Sequence, residues 1–130
     1  SACLVGSEMC IRDRNDEIAA SSLYVAPLIS GAGFKNKVIE ALANRTYVAA
    51  TPMALEFFDV GTVRKILVGD SAAALANRII DFLSDPEQFE ERLSDLHSMV
   101  LREFTWKNST ARLLSVVAKA RQDFSVGEPV

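Results

Sequence analysis

The stretch LYVAPLISGAGFKNKVIEALAN constrains the fold of this chain more than any other. Leu23 to Leu28 form a nearly continuous apolar run interrupted only by Pro27, the pattern of a short strand buried on both faces. ISGAG follows, a turn built on Gly31 and Gly33. In FKNKVIEALAN, Phe34, Val38, Ala41 and Leu42 recur at helical spacing, so a helix is expected from about Phe34. A buried strand, a glycine turn and a helix in that order make half of a parallel β-α unit. The free N–H groups of such a helix face the crevice beyond the strand's carboxyl end, where open α/β sheets bind ligands.

The pattern continues downstream. TYVAAT (Thr46 to Thr51) and VRKILVG (Val63 to Gly69) are further strand candidates, and PMALEFF between them suits a short helix with Pro52 at its start. Asp70 or Ser71 can cap AAALANRIIDFL, whose Leu75, Ile79 and Phe82 share a face. SDPEQFEERLSDLHSMVLREF starts another helix with a cap, a proline and acids, and its Phe89, Leu93, Leu96 and Val100 form an inward stripe. Thr105 can cap a last helix bearing Leu113, Leu114 and Val117. The expected fold is therefore α/β: a truncated Rossmann-like parallel sheet of about three strands, with flanking helices and carboxyl-terminal helices. Free-standing domains of this kind usually have five or six strands, so strands are expected to be missing at the amino-terminal edge.

At 130 residues the chain has room for one domain with a real core. Half of it is apolar and the net charge is −3, which excludes a disordered chain and makes nucleic acid an unexpected partner. No apolar run reaches the roughly 18 residues that span a bilayer. The reading is a cytoplasmic protein, with peripheral membrane attachment as its variant. Cys3 and Cys10 lack the spacing of a zinc or redox pair, and the one histidine, His97, stands apart from both. No metal site and no cofactor are expected. His97 reads as a surface residue, Trp106 as packing that anchors the last helix, and Leu23, Val25 and Ile66 as core.

The chemistry concentrates between Gly31 and Glu40. Gly31 and Gly33 let the backbone approach an anion, and the dipole of the helix favours negative charge there. Lys35 and Lys37, in the first helical turn, oppose that dipole by about 0.3–1 kcal/mol each unless an anion is bound. Glu40 can accept hydrogen bonds from sugar hydroxyls. The same residues also fit a plain tight turn, two solvated lysines and a surface glutamate.

PLISGAGFKNKVIEALANRTYVAAT resembles the carboxyl-terminal domain of group 1, family 4 glycosyltransferases, whose members commonly read GxGxxxKxxEAxAxGxPVVxT after a strand ending in proline. Gly31, Gly33, Lys37, Glu40, Ala41, Ala43, Val48 and Thr51 carry the likeness, which extends from about Asn15 to Arg121. The resemblance implies two Rossmann-like domains across a cleft and retaining transfer of a sugar from a nucleoside diphosphate donor, without a catalytic metal. It implies that Glu40 holds the donor ribose and that the loop around Gly33 and Phe34 contacts the diphosphate and sugar, with Lys37 beside it. Ala32 stands where many relatives carry a second glutamate. Arg45 and Tyr47 replace the usual glycine and proline, so Asn44 is expected to supply the left-handed helix ending. The donor-binding set is thus Gly31, Ala32, Gly33, Phe34, Lys37 and Glu40, with the catalytic residues and the acceptor (glycan, lipid-linked or small molecule) unidentified. The resemblance does not extend to the family's amino-terminal acceptor domain, so this piece is expected to be inactive. The alternative is a non-enzymatic α/β binding or regulatory module.

The opening SACLVGSEMCIRDR has no periodicity. Its LVGSEMCIRD is similar to a translated adapter end from transposase-based sequencing libraries. Residues 1–14 are accordingly expected to be a non-native tail, 15–124 a partial nucleotide-sugar-binding domain, and 125–130 a frayed end.

Overall fold

A computed structural model describes residues 7–31 and 33–125, with side chains over 13–31 and 33–122. The elements are α1 (Ser7–Ala20), β1 (Leu23–Ala26), α2 (Asn36–Ala43), β2 (Tyr47–Ala50), a 3₁₀ turn (Pro52–Leu55), α3 (Val60–Val63), β3 (Leu67–Val68), α4 (Ala72–Ser84), a second 3₁₀ turn (Pro86–Phe89), α5 (Glu90–Glu103) and α6 (Trp106–Ser125). The strands form one parallel sheet in the order β1-β2-β3, with Leu23 opposite Tyr47, Ala26 opposite Ala50, and Ala50 opposite Val68. This is the expected three-stranded Rossmann-like sheet. Cys3 and the tail 126–130 lie outside the described residues, and α1 runs through the boundary expected after residue 14.

The strands are shorter than the apolar runs that predict them, for local reasons. Pro27 has no N–H to continue the ladder, so β1 stops at Ala26. Before β3, the N–H groups of Lys65 and Ile66 donate back to Thr62 and Val63, closing α3, so the strand begins only at Leu67. β2 is buried at all four positions and is the centre of the core. α2 packs on β1 and β2, α4 on β2 and β3, and α5 lies over α2. Tyr47 ties the layers together: its ring stacks on Phe82 of α4 with centroids 5.3 Å apart and meets Phe89 at 5.6 Å. Such aromatic pairs contribute about 0.5–1.5 kcal/mol beyond their buried area. The tyrosine hydroxyl donates to the carbonyl of Lys65, fixing the approach to β3.

Helix starts follow the sequence in part. Ser71, not Asp70, caps α4, its Oγ accepting from the Ala74 N–H at 3.2 Å. Thr105 caps α6 in the same way through Asn108. The segment after Asp85 begins instead as a 3₁₀ turn without a side-chain cap. Leu75, Phe82, Phe89, Leu96 and Val100 are buried, while Ile79 and Leu93 are half-buried, along the expected stripes.

Several expectations are corrected. β1 is an edge strand and is not covered on both faces; Val25 is 40% exposed and Leu23 half-buried, although Ile66 is core. Trp106 does not anchor the last helix: it is 88% exposed, and Leu113, Leu114 and Val117 are exposed with it. The chain turns at Phe104, whose ring meets Phe34 and Phe58, and α6 then leaves the body. His97 is half-buried and its Nδ1 donates to the Leu42 carbonyl at 2.9 Å, satisfying the end of α2. The left-handed residue after α2 is Arg45 at φ 60°, not Asn44 at φ −87°. Asn44 uses its side-chain amide to donate to the Glu40 carbonyl at 2.8 Å.

Candidate functional site

The site expected after β1 is built from the loop between Pro27 and the start of α2. Gly31 (φ 123°) and Gly33 (φ 89°) both occupy conformations that L side chains rarely adopt. A Cβ on Gly33 would meet nothing within 4 Å, so backbone geometry and not crowding demands glycine there. Ala32 lies outside the described residues. Thr51 pins the loop from the neighbouring strand: its N–H donates to Ala26 at 3.2 Å and its hydroxyl donates to the Leu28 carbonyl.

Helix α2 begins two residues later than expected, at Asn36, which changes the role of Lys35. Lys35 is the cap residue, and its ammonium folds back to donate to the Gly31 carbonyl at 2.9 Å. It therefore braces the loop. Lys37 is inside the first turn and exposed, where its charge still opposes the dipole. The Val38 N–H closes on the Lys35 carbonyl at 3.1 Å, and with no side-chain cap at Lys35 the amides of Asn36 and Lys37 remain available to an anion or to solvent.

Residues of β1 and of the loop-to-helix junction, among them Tyr24, Pro27, Phe34 and Lys37, line a cleft of about 350 Å³ at the carboxyl end of β1. Phe34 is 45% exposed and belongs to an aromatic group on this side of the sheet, with ring centroids 5.3 Å from Phe57 and 5.8 Å from Phe104. The sequence gives no periodic signal for that grouping, because its members come from three separate connections.

Glu40 is not brought into the cleft. It lies on the half-buried side of α2, where its Oε2 is 3.2 Å from Arg14 Nη2 of α1. That oxygen is shielded from solvent yet makes no well-formed hydrogen bond, so the contact is a charge pairing and leaves acceptor capacity unused. The structure thus gathers Gly31, Gly33, Phe34 and Lys37 at the loop, and holds Glu40 apart under Arg14. Arg14 was not singled out in the sequence, since nothing local ties it to a residue 26 positions on. Among the described residues, no three of His, Cys, Asp and Glu converge as metal ligands, and no helix is long and apolar enough to cross a membrane.

Residues 4–85, well over half of the chain, match the family model described as glycosyl transferases, group 1. Searches of the curated proteins and of the solved structures found no match.

Proposed function

The chain belongs to the group 1 glycosyl transferases, and on that premise we propose that it is the carboxyl-terminal, donor-binding part of a retaining enzyme. Its parent moves a sugar from a nucleoside diphosphate donor to an acceptor. The observation that carries the reading is the loop from Gly31 to Gly33, left-handed at both glycines and running into the uncapped start of α2 beside an open cleft. Amides fixed in this way stabilise charge that develops on a leaving diphosphate without reorganising during the reaction. Lys37 adds a positive charge at the same place, and Phe34 forms the apolar wall against which a sugar or base can lie. Glu40 is the residue for the ribose hydroxyls in the parent, where the tail residue Arg14 does not occupy its carboxylate.

An amino-terminal domain completes the cleft and supplies the acceptor. The exposed apolar side chains of α6, Trp106, Leu113 and Val117, support this, because a helix with such a seam normally packs on a partner. Residues 1–14 remain, in this reading, a non-native tail, and residues 15–124 the donor-binding part, inactive by itself and at home in a cytoplasm.

Calorimetry with UDP and GDP on the chain extended by its acceptor domain tests the reading. Binding of one nucleotide is expected, with Glu40→Ala weakening it by about tenfold or more, as for loss of hydrogen bonds to a charged group. No binding by either nucleotide to a folded protein would remove the donor-site assignment. A non-enzymatic α/β module is the second reading. It is favoured by the separation of Glu40 from the cleft, and the same titration separates the two.

A further inference from the structure

We propose that the outer flank of β3 carries a binding site for a small organic phosphate, separate from the glycine loop. A cleft of about 350 Å³ opens there between the turn leading into β3, helix α4 and the start of α5. Arg64, Arg78 and Arg92 line it, one from each of those elements, and Asp81 is the one acid among its walls. Arg64 sits at the amino end of β3, whereas Gly31 and Gly33 follow the carboxyl end of β1. Because the strands are parallel, the two sites occupy opposite ends of the sheet.

Charge and shape together favour a ligand here. Among the described residues, none of these three guanidinium groups forms an ion pair, even with Asp81, although Arg92 also donates to the Tyr47 hydroxyl; Arg14, Arg45, Lys65 and Arg102 each form one. Cations that line one cleft repel one another where solvent and salt do not screen them, and a bound anion relieves that repulsion. The ordinary fate of surface arginines is solvation, but three from separate elements around one concavity make a different arrangement. The guanidinium fork matches phosphate oxygens two at a time. Ile66 and Phe89, both buried, form an apolar floor, and the Arg92 guanidinium carbon lies 5.6 Å from the Phe89 ring centroid. A phosphate with a carbon body uses that floor; inorganic phosphate cannot.

Titration of the 130-residue chain with phenyl phosphate and with inorganic phosphate, at constant ionic strength and followed by amide chemical shifts, tests the site. Phenyl phosphate is expected to bind about fivefold more tightly than inorganic phosphate, through its ring on the apolar floor. Arg64→Gln with Arg78→Gln, both at exposed positions, is expected to weaken it by about tenfold or more through loss of charge-assisted bonds. Lys107→Ala, at an exposed position of α6 outside both clefts, should leave it unchanged, and Lys37→Ala should leave the shifts around Arg64, Arg78 and Phe89 in place. Undiminished binding by the double variant, or loss of those shifts on either lysine variant, overturns the site. Equal affinity for the two phosphates overturns the organic ligand class.

Discussion

Replacing Gly69 with alanine probes how closely α4 is seated on the sheet. Gly69 is buried at the carboxyl end of β3, and its N–H donates to the Ala50 carbonyl at 3.1 Å. A Cβ added there would stand 2.4 Å from the Leu75 nitrogen, 2.5 Å from its Cα and 2.7 Å from its Cβ. Carbon contacts are comfortable at about 3.5–4.0 Å, so one side must retreat by roughly 1 Å. The obstacle is helix backbone, not the end of a flexible side chain. Retreat therefore shifts the first turns of α4 and loosens Leu75 and Phe82, both buried in the core. Overpacking of a core costs about 1–3 kcal/mol, and the rigid partner puts this case at about 2–3 kcal/mol. For a domain of this size that corresponds to a fall in Tm of roughly 6–15 °C. Thermal melting followed by far-UV circular dichroism measures it. A fall smaller than about 3 °C would refute the close seating of α4, because it corresponds to less than about 1 kcal/mol, below the range for overpacking.

Arg14→Ala should tighten nucleotide binding if Glu40 holds the ribose, since Arg14 occupies that carboxylate. The pair is partly exposed, so it is worth only about 0.2–1 kcal/mol, or a gain of about 1.4- to 5-fold by calorimetry; weakened binding would instead make Arg14 part of the site. The Asp59 carboxyl, which accepts from the Thr62 hydroxyl and from the Thr62 N–H at 3.0 Å, is held below the usual carboxylate range chiefly by those bonds. A lowered folded-state pKa means that the cap on α3 is fully present above the unfolded carboxylate pKa and is lost as pH falls through the folded one. The protection of the Thr62 amide, taken relative to its intrinsic exchange rate at each pH, should therefore hold at pH 5 and fall only below about pH 4; loss of protection already at pH 5 would count against the cap.

The three strands were readable because each contains a short apolar run bounded by proline, glycine or a polar residue, whereas their order in the sheet was not. Tyr47 to Ala50, whose one polar group is the Tyr47 hydroxyl, is the central strand and is buried at all four positions. The glycine loop was readable for the same local reason. Trp106 was misread because an apolar residue announces a preference for burial but not the presence of a neighbour to bury it. His97 was misjudged, and the contact of Glu40 with Arg14 was not foreseen, because the partners Leu42 and Arg14 are tertiary, set by how α5 and α1 lie on α2. Arg45 was missed since a left-handed arginine carries no signature; its guanidinium bonding to Glu90 of α5 helps hold it there. The arginine cleft beside β3 has no motif either, as its three cations come from three elements.

The outer side of β1 has one further consequence. From Leu23 to Ala26 the strand pairs only with β2 among the described strands, so its other row of N–H and C=O groups faces outward. No charged side chain lies between Ser21 and Leu28 to discourage an approaching strand. Pro27 blunts the carboxyl end of that row but leaves the backbone of the four strand residues without a second partner strand among the described residues. At high concentration the isolated chain therefore offers a template for self-association through β1. A lysine introduced at Val25, the most exposed of the four hydrophobic strand positions, is the change best placed to keep it monomeric in storage.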